Sequence, residues 1–376
     1  MDAGVFDQLE RTFRLEGAER ALELLIEKAR EDRNYRALFS ARMMQARHRM
    51  GLPLIETEPL PRFSDEQRPA YDEALRAAAR ETGGLFLRSG DIVSAWPYFK
   101  AIGESAPVAA AIESVNGGEN LERVIEIAYQ EGVNPRKGFE LILEHHGICS
   151  AITWFGANRD FDSRQQCLRL LVRTLYSQVA GAIKETIASV EGAAPPMDRL
   201  AELMAGRAWL FEGNSSYTDS THLASVLRFT PELEDRETLR MALDLADYGQ
   251  RLAEMFHFRG DPPFENTYRD HAVYLRAVLG EEVDAAVEHF RRKITESVRL
   301  PGDTTPAEVL VELLVRLGRL GEAIEASLEH LPGTFDTTLS CPSLVQLCQM
   351  AGDYERLRSL ARDRGDLPAF VAGLVE

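Results

Sequence analysis

Five of the eight histidines in this 376-residue chain fall between residues 120 and 275: His145, His146, His222, His257 and His271. Three of them keep carboxylate company. Glu144 precedes His145, Asp219 lies three residues before His222, and Asp270 precedes His271. Imidazole nitrogens and carboxylate oxygens are the donor set of a divalent metal such as zinc. His145, His222 and His271, with Glu144, Asp219 or Asp270 as a further ligand or general base, would form an open site of the catalytic type. No spacing here is diagnostic, because the chain has neither His-Glu-x-x-His nor a repeated Glu-x-x-His. The same residues also have structural uses. Asp219 or Ser220 can cap a helix, and His145 and His146 near a helix C-terminus would favour the negative end of its dipole. His145 and Cys149 share a face only if one helix runs through Gly147.

Other chemistries find less support. There is no Gly-x-Ser-x-Gly elbow and no glycine loop to cradle a phosphate. The flanks of Cys149, which are Ile148, Ala151 and Ile152, predict a buried, inert thiol. Arg207, Arg228 and Arg251 are candidates for a pocket that takes an anionic ligand, against the ordinary fate of solvation or pairing. Lys and Arg number 43 against 60 Asp and Glu, a net charge of −17. That balance argues against nucleic-acid binding, and the longest basic run is only Arg291-Arg292-Lys293. No stretch approaches the roughly 20 apolar residues that span a bilayer. The first residues lack the basic start and apolar run of a secretory signal. Cys149, Cys167, Cys341 and Cys348 include no Cys-x-x-Cys pair, which predicts reduced thiols in a cytoplasmic protein.

The elements that must position these residues are helical. Leu9, Phe13, Leu22, Leu25, Ile26 and Ala29 recur every three or four residues on two helices broken near Gly17. The period returns at Leu168, Leu171, Val172, Leu175 and Val179, and again at Leu239, Ala242, Leu243, Leu245 and Ala246. No alternating β-branched run appears, so no strands are expected. Ser64 with Gln67 predicts a capping box, Thr305-Pro306-Ala307-Glu308 predicts another, and Asn134-Pro135 starts a helix by the same logic. Helices of three to five turns with short links imply antiparallel neighbours. Gly51 to Pro61, Gly192 to Pro196 and Gly260 to Phe264 read as connectors.

Within residues 76–109, Gly83, Phe86, Gly90, Ala95, Phe99 and Pro107 follow a regular order: small, aromatic, turn glycine, small, aromatic, closing proline. Small residues let two helices cross closely, large ones fill the gaps, glycine turns the hairpin and proline ends it. This segment resembles the tetratricopeptide repeat (TPR) at six of eight signature positions, departing at Ala79 and Ile102. Gly318 with Ala323 and Gly352 with Leu357 repeat the turn 34 residues apart; Gly280 with Ala285 and Gly17 with Leu22 are fainter copies. The resemblance covers about half the chain. It implies an all-α, TPR-like α-α superhelix, a solenoid of antiparallel hairpins, here with an irregular helical centre. The expected regions are 1–119, 120–275 and 276–376.

Such arrays bind peptides or other proteins on a concave face. The resemblance places Arg80 and Arg88, with Gln346 and Gln349, on inner positions, but the Asn and Lys of the clamp for acidic chaperone tails are missing. The expected function is a cytosolic interaction scaffold with a protein or peptide partner, as monomer or homodimer, with no nucleic acid and no membrane. The alternative is a metal-dependent enzyme or metal-binding protein built on the central His, Asp and Glu residues, with a divalent cation as cofactor. The last helix, with Phe370, Val371, Leu374 and Val375, is expected to cap the array by packing back onto it.

Overall fold

A computed structural model describes residues 3–55, 63–65, 67–158, 161–296, 303–331 and 339–375. The described chain is all-α. Its only β feature among those residues is an isolated antiparallel bridge between Arg259 and Asn266. The second half of the expected Gly51–Pro61 connector lies outside the described residues. Two compact units form. The first holds Met1–His146 with Asp160–Arg164, and the second holds Gly147–Arg159 with Gln165–Glu376. Of the expected central region, 120–146 and 160–164 therefore fold with the first unit, and 147–159 and 165–275 with the second.

In the first unit α1 (Ala3–Glu16), α2 (Ala18–Glu31), α3 (Tyr35–Arg49), α4 (Gln67–Arg88) and α5 (Ile92–Ala101) pack each on the next. They are followed by α6 (Ala106–Glu113), α7 (Leu121–Ile125) and a π-helical turn, Glu126–Gln130. The Ser64–Gln67 box forms: the Gln67 amide donates to Ser64 Oγ at 3.2 Å, and the Ser64 amide to Gln67 Oε1 at 3.1 Å. Leu22, Ile26 and Ala29 of α2 are buried as the helical period requires, while Leu24 is buried and the expected Leu25 only partly so; Phe13 of α1 is exposed, against expectation. Among the described residues α1 packs chiefly on α2, and Phe13 lies on its uncovered side.

The α4–α5 hairpin shows why these residue types stand at these positions. Gly83 faces the Phe99 ring so closely that a Cβ there would lie 2.6 Å from Phe99 Cε2. Ala79, Ala95 and Phe99 are buried around the crossing. Gly90 turns the chain at φ 80°. The next residue, Asp91, caps α5 by accepting the Ser94 amide at 2.9 Å. Glycine thus ends one helix and aspartate starts the next. The same Gly-Asp junction recurs at Gly352-Asp353, where Asp353 accepts the Arg356 amide, and at Gly365-Asp366, where Asp366 accepts the Ala369 amide, both at 3.0 Å.

α8 (Pro135–Ala157) is broken at Gly147, whose φ of 75° and ψ of 177° interrupt the helix. The second unit continues with α9 (Arg164–Glu191), α10 (Leu200–Met204), α11 (Ser220–Leu227), α12 (Arg236–Arg251), α13 (Thr267–Val278) and α14 (Val283–Glu296). It closes with α15 (Thr305–Arg316), α16 (Leu320–His330), α17 (Leu344–Ala351), α18 (Tyr354–Arg364) and α19 (Leu367–Val375). At 28 residues α9 far exceeds the expected three to five turns, and it buries Leu168, Leu171, Val172, Leu175 and Val179 along its length. α13 to α19 share one core that includes Tyr274, Phe290, Leu310, Leu314, Leu347 and Leu357.

Three local expectations change. Ala285 is exposed and its neighbour Ala286 is buried, because Glu282 at φ 51° adds a residue to the turn after Gly280. Glu308 does not reach back to cap its own helix backbone. Its carboxylate accepts the Thr304 hydroxyl at 2.5 Å and, across the unit, the Ser340 amide and hydroxyl at 2.8 and 2.6 Å. α19 packs on α18 through Ala369 and Gly373, yet Val371, Leu374 and Val375 stay exposed. Only part of its apolar stripe does the expected capping.

A methyl group at position 83 must displace the Phe99 ring. Gly83→Ala is expected to lower stability by about 1–3 kcal/mol, read from the urea midpoint. Adding Phe99→Leu should recover part of that loss, so the double variant costs less than the sum of the singles.

Candidate functional site

The six metal-ligand candidates are put to separate uses. Glu144 and His145 are exposed at the end of the 135–146 helix in the first unit. His145 Nε2 lies 3.0 Å from the Asn116 carbonyl, to which it donates. The neighbouring His146 Nε2 sits 3.1 Å from Glu122. The break at Gly147 puts Cys149 on a different helical segment from His145, and Cys149 is exposed rather than buried. Apolar neighbours do not bury a residue that falls on the outer face of its helix.

In the second unit Asp219 is a helix cap. Its carboxylate accepts the Thr221 hydroxyl and amide at 2.7 and 2.8 Å, and those bonds hold it below its ordinary pKa. His222 is half-buried on the first turn of α11. Asp270 and His271 are adjacent on α13 but engaged in different directions. Among the described residues no group of three His, Cys, Asp or Glu side chains is placed to hold a metal ion.

Asp270 is almost wholly buried and is the centre of an ionic cluster. Its Oδ1 accepts His289 Nε2 at 2.9 Å, and its Oδ2 accepts Lys293 Nζ at 2.9 Å and the Asn266 amide at 2.8 Å. Lys293 also donates to Glu265 at 2.6 Å. Burial pushes the Asp270 carboxyl up, but the bonds from His289, Lys293 and Asn266 outweigh it and hold the group below its ordinary value. The cluster ties α13, α14 and the loop before α13 into one piece. His271 is buried in a different manner. Its Nδ1 donates to the Thr267 carbonyl at 2.6 Å and its ring stacks on Phe264 at 4.2 Å. Burial drives its pKa down to about 4, so the imidazole is neutral.

The loop from Phe258 to Asn266 is held at many points. The Gly260 amide donates to the Glu265 carbonyl at 3.1 Å, Phe264 to Asp261 at 2.8 Å, and the Thr267 hydroxyl to the Phe258 carbonyl at 2.9 Å. A Cβ at Gly260 would lie 2.4 Å from the Phe264 carbonyl oxygen, so only glycine fits there. On its outer side this loop and α11 enclose a cleft of about 250 Å³ lined by Thr221, Ser225 and Arg228 from the helix and Phe258, Arg259 and Asp261 from the loop.

The three arginines named from the sequence part company here. Arg207 grips Glu191 with two bonds of 2.6 and 3.0 Å. Arg251 lies 4.1 Å over the Phe211 ring and donates to the Met204 carbonyl. Arg228 lines the cleft. Its companion Arg259 was not anticipated from the sequence; the turn-rich Gly260-Asp261-Pro262-Pro263 stretch beside it was the available signal. Arg80, expected on a partner-binding face, closes its own hairpin by binding Glu104 at 2.6 to 3.1 Å. Arg88 is exposed. Gln346 forms a capping box with Ser343, its side-chain oxygen accepting the Ser343 amide at 2.8 Å, while Gln349 is exposed.

No protein-family model, no curated protein and no solved structure matches this chain. Among the described residues no helix is long and apolar enough to cross a membrane.

Two acid-side effects follow. The unfolded chain protonates His271 near pH 6.5, and the native state resists until about pH 4. Stability should therefore fall as pH drops through that window, by on the order of 3 kcal/mol, and His271→Phe should flatten the slope. Asp270 acts lower. Its folded pKa lies below the ordinary 3.8, so its contribution is complete above that value and is lost as pH falls further. Asp270→Asn should cost about 1.5–3 kcal/mol at pH 7, with the gap to the wild type closing toward pH 3. Urea titrations at stepped pH read both.

Proposed function

We propose that the chain is a TPR-like helical-repeat protein of the cytoplasm that binds a protein or peptide partner in a concave groove. The observation that carries this reading is the α4–α5 crossing. There Gly83 lies against Phe99, Ala79 and Ala95 are buried, and a left-handed glycine precedes the second helix. Gly83, Gly90, Ala95 and Phe99 thus stand where a repeat of this kind would need a close approach, a turn, a small residue and a filling ring, which supports the reading. Recurrence supports it. Gly17, Gly318 and Gly352 all take positive φ, and Leu22, Ala323 and Leu357, each five residues on, are all buried. Four free thiols suit a reducing compartment.

A stack of hairpins leaves one helix of each pair on the inner side, where a partner's extended or helical segment lies across several repeats. On α4 that inner row includes Arg80 and Arg88. Arg80 already has Glu104, so Arg88 is the cation free to meet an acidic partner. No observation favours the metal-enzyme alternative over this reading.

The test is peptide selection from a random displayed library, followed by hydrogen exchange on the winning complex. Protection should spread over several consecutive hairpins, and Arg88→Glu should weaken an acidic peptide by roughly fivefold or more. Protection confined to one short segment, or selection that yields no peptide, would sink the groove reading.

A further inference from the structure

We propose that the cleft between α11 and the 258–261 loop binds a small phosphomonoester, with the Arg228 and Arg259 guanidiniums on its phosphate. This site is independent of the partner groove. Both arginines are exposed into one cleft of about 250 Å³, and neither forms an ion pair among the described residues. Most arginines of the second unit are otherwise engaged. Arg240 pairs with Glu281, Arg276 with Asp247, and Arg319 with Asp284 and Glu322. Two like charges facing one small cavity repel, and an anion between them reverses the sign of that interaction. Guanidinium forks match phosphate oxygens in pairs, which makes a phosphate group the natural occupant.

The rest of the lining narrows the choice. Ser225 has a hydroxyl with no bond among the described residues, available to donate to a phosphate oxygen. The Thr221 hydroxyl hydrogen is already committed to Asp219. Asp261 brings a carboxylate to the same cleft, also unpaired among the described residues. It would repel a second acidic group and accept from a ligand hydroxyl or amine. A phosphomonoester with a hydroxyl or amine on its carbon stub satisfies both ends, whereas a dicarboxylate satisfies neither well. A cleft of about 250 Å³ has room for a phosphate and a few carbons. Phe258 lies half-out at the edge and offers the apolar contact for that stub.

The site is also built before any ligand arrives. Arg259 sits in the Arg259–Asn266 bridge, Gly260 is locked onto Glu265, and the Asp270 cluster holds Asn266 and Glu265 from below. The loop backbone is thus ordered in advance, and binding has only the two arginine side chains left to fix.

The probes are glycerol 3-phosphate, inorganic phosphate, acetate and succinate, titrated calorimetrically into the full chain at low salt. Glycerol 3-phosphate should bind, inorganic phosphate more weakly, and the carboxylates not measurably. Arg228→Ala and Arg259→Ala should each weaken the ester by about tenfold or more. Arg269→Ala, an exposed arginine outside the lining, should leave it unchanged. Asp261→Asn should narrow the preference for the ester over inorganic phosphate. Melting curves establish that each variant is folded. Should Arg228→Ala not fold, Arg228→Lys keeps the charge, loses the fork and should still weaken binding. The proposal is overturned if neither phosphate probe binds, if succinate or acetate binds in their place, or if Arg269→Ala weakens binding as much as the cleft variants.

Discussion

An aromatic ring laid on a bare glycine Cα sets how closely two helix pairs of this protein approach, one in each unit. Phe99 on Gly83 does this in the first unit. Tyr268 on Gly249 does it in the second, where a Cβ would come within 2.4 Å of the ring. Each contact brings two helix backbones together at one point and sets the crossing about it. Where the helices close, neighbouring side chains interdigitate. Ala79 and Ala95 fill the first crossing, and Leu245 and Ala246 lie buried on α12 near the second. The Tyr268 hydroxyl then reaches past the crossing to the Phe256 carbonyl at 2.9 Å. So the ring that closes α12 on α13 also holds the start of the loop that carries Arg259.

Charge is organised by the same economy. The chain is strongly acidic, and two of its buried carboxylates, Asp270 and Glu308, have a full set of donors. Asp270 has three donors, and Glu308 joins Thr304 to Ser340. A buried carboxylate with a full set of donors fixes geometry more than it adds stability. That suits its position here, beneath a loop that must present side chains on its other face.

The helices, their caps and much of the core were legible in the sequence, because those features depend on neighbours three or four residues away. The stripe along α9 and the Ser64 and Asn134 caps are of this kind. The α4–α5 hairpin with its close approach at Gly83 was legible because a hairpin is local as well. What stayed hidden depends on distant partners. The spacing of Glu308 from Thr305 matched a capping box, but Ser340 competed for the carboxylate. Nothing near Cys149 revealed which face of its helix would be outward. The histidines were read as one group because they crowd the middle of the chain. A break at Gly147, a backbone carbonyl at Thr267 and a stacked Phe264 disperse them. Arg259 lay next to a recognised turn, but that it lines one cleft with Arg228 depends on tertiary packing.

The order of residues at the helix junctions bears on how the protein ages. Each Gly-Asp junction places glycine before the aspartate, so the residues that follow Asp91, Asp353 and Asp366 are Ile92, Tyr354 and Leu367. Attack of a backbone nitrogen on its preceding side chain, the route to a succinimide, is fastest when the following residue is glycine. These bulky successors, and the capping bonds that already occupy the carboxylates, protect the turns from isomerisation. The sequence has one Asn-Gly step, Asn116-Gly117, and both residues are exposed. The covalent clock of this chain therefore runs at the residue whose carbonyl receives His145.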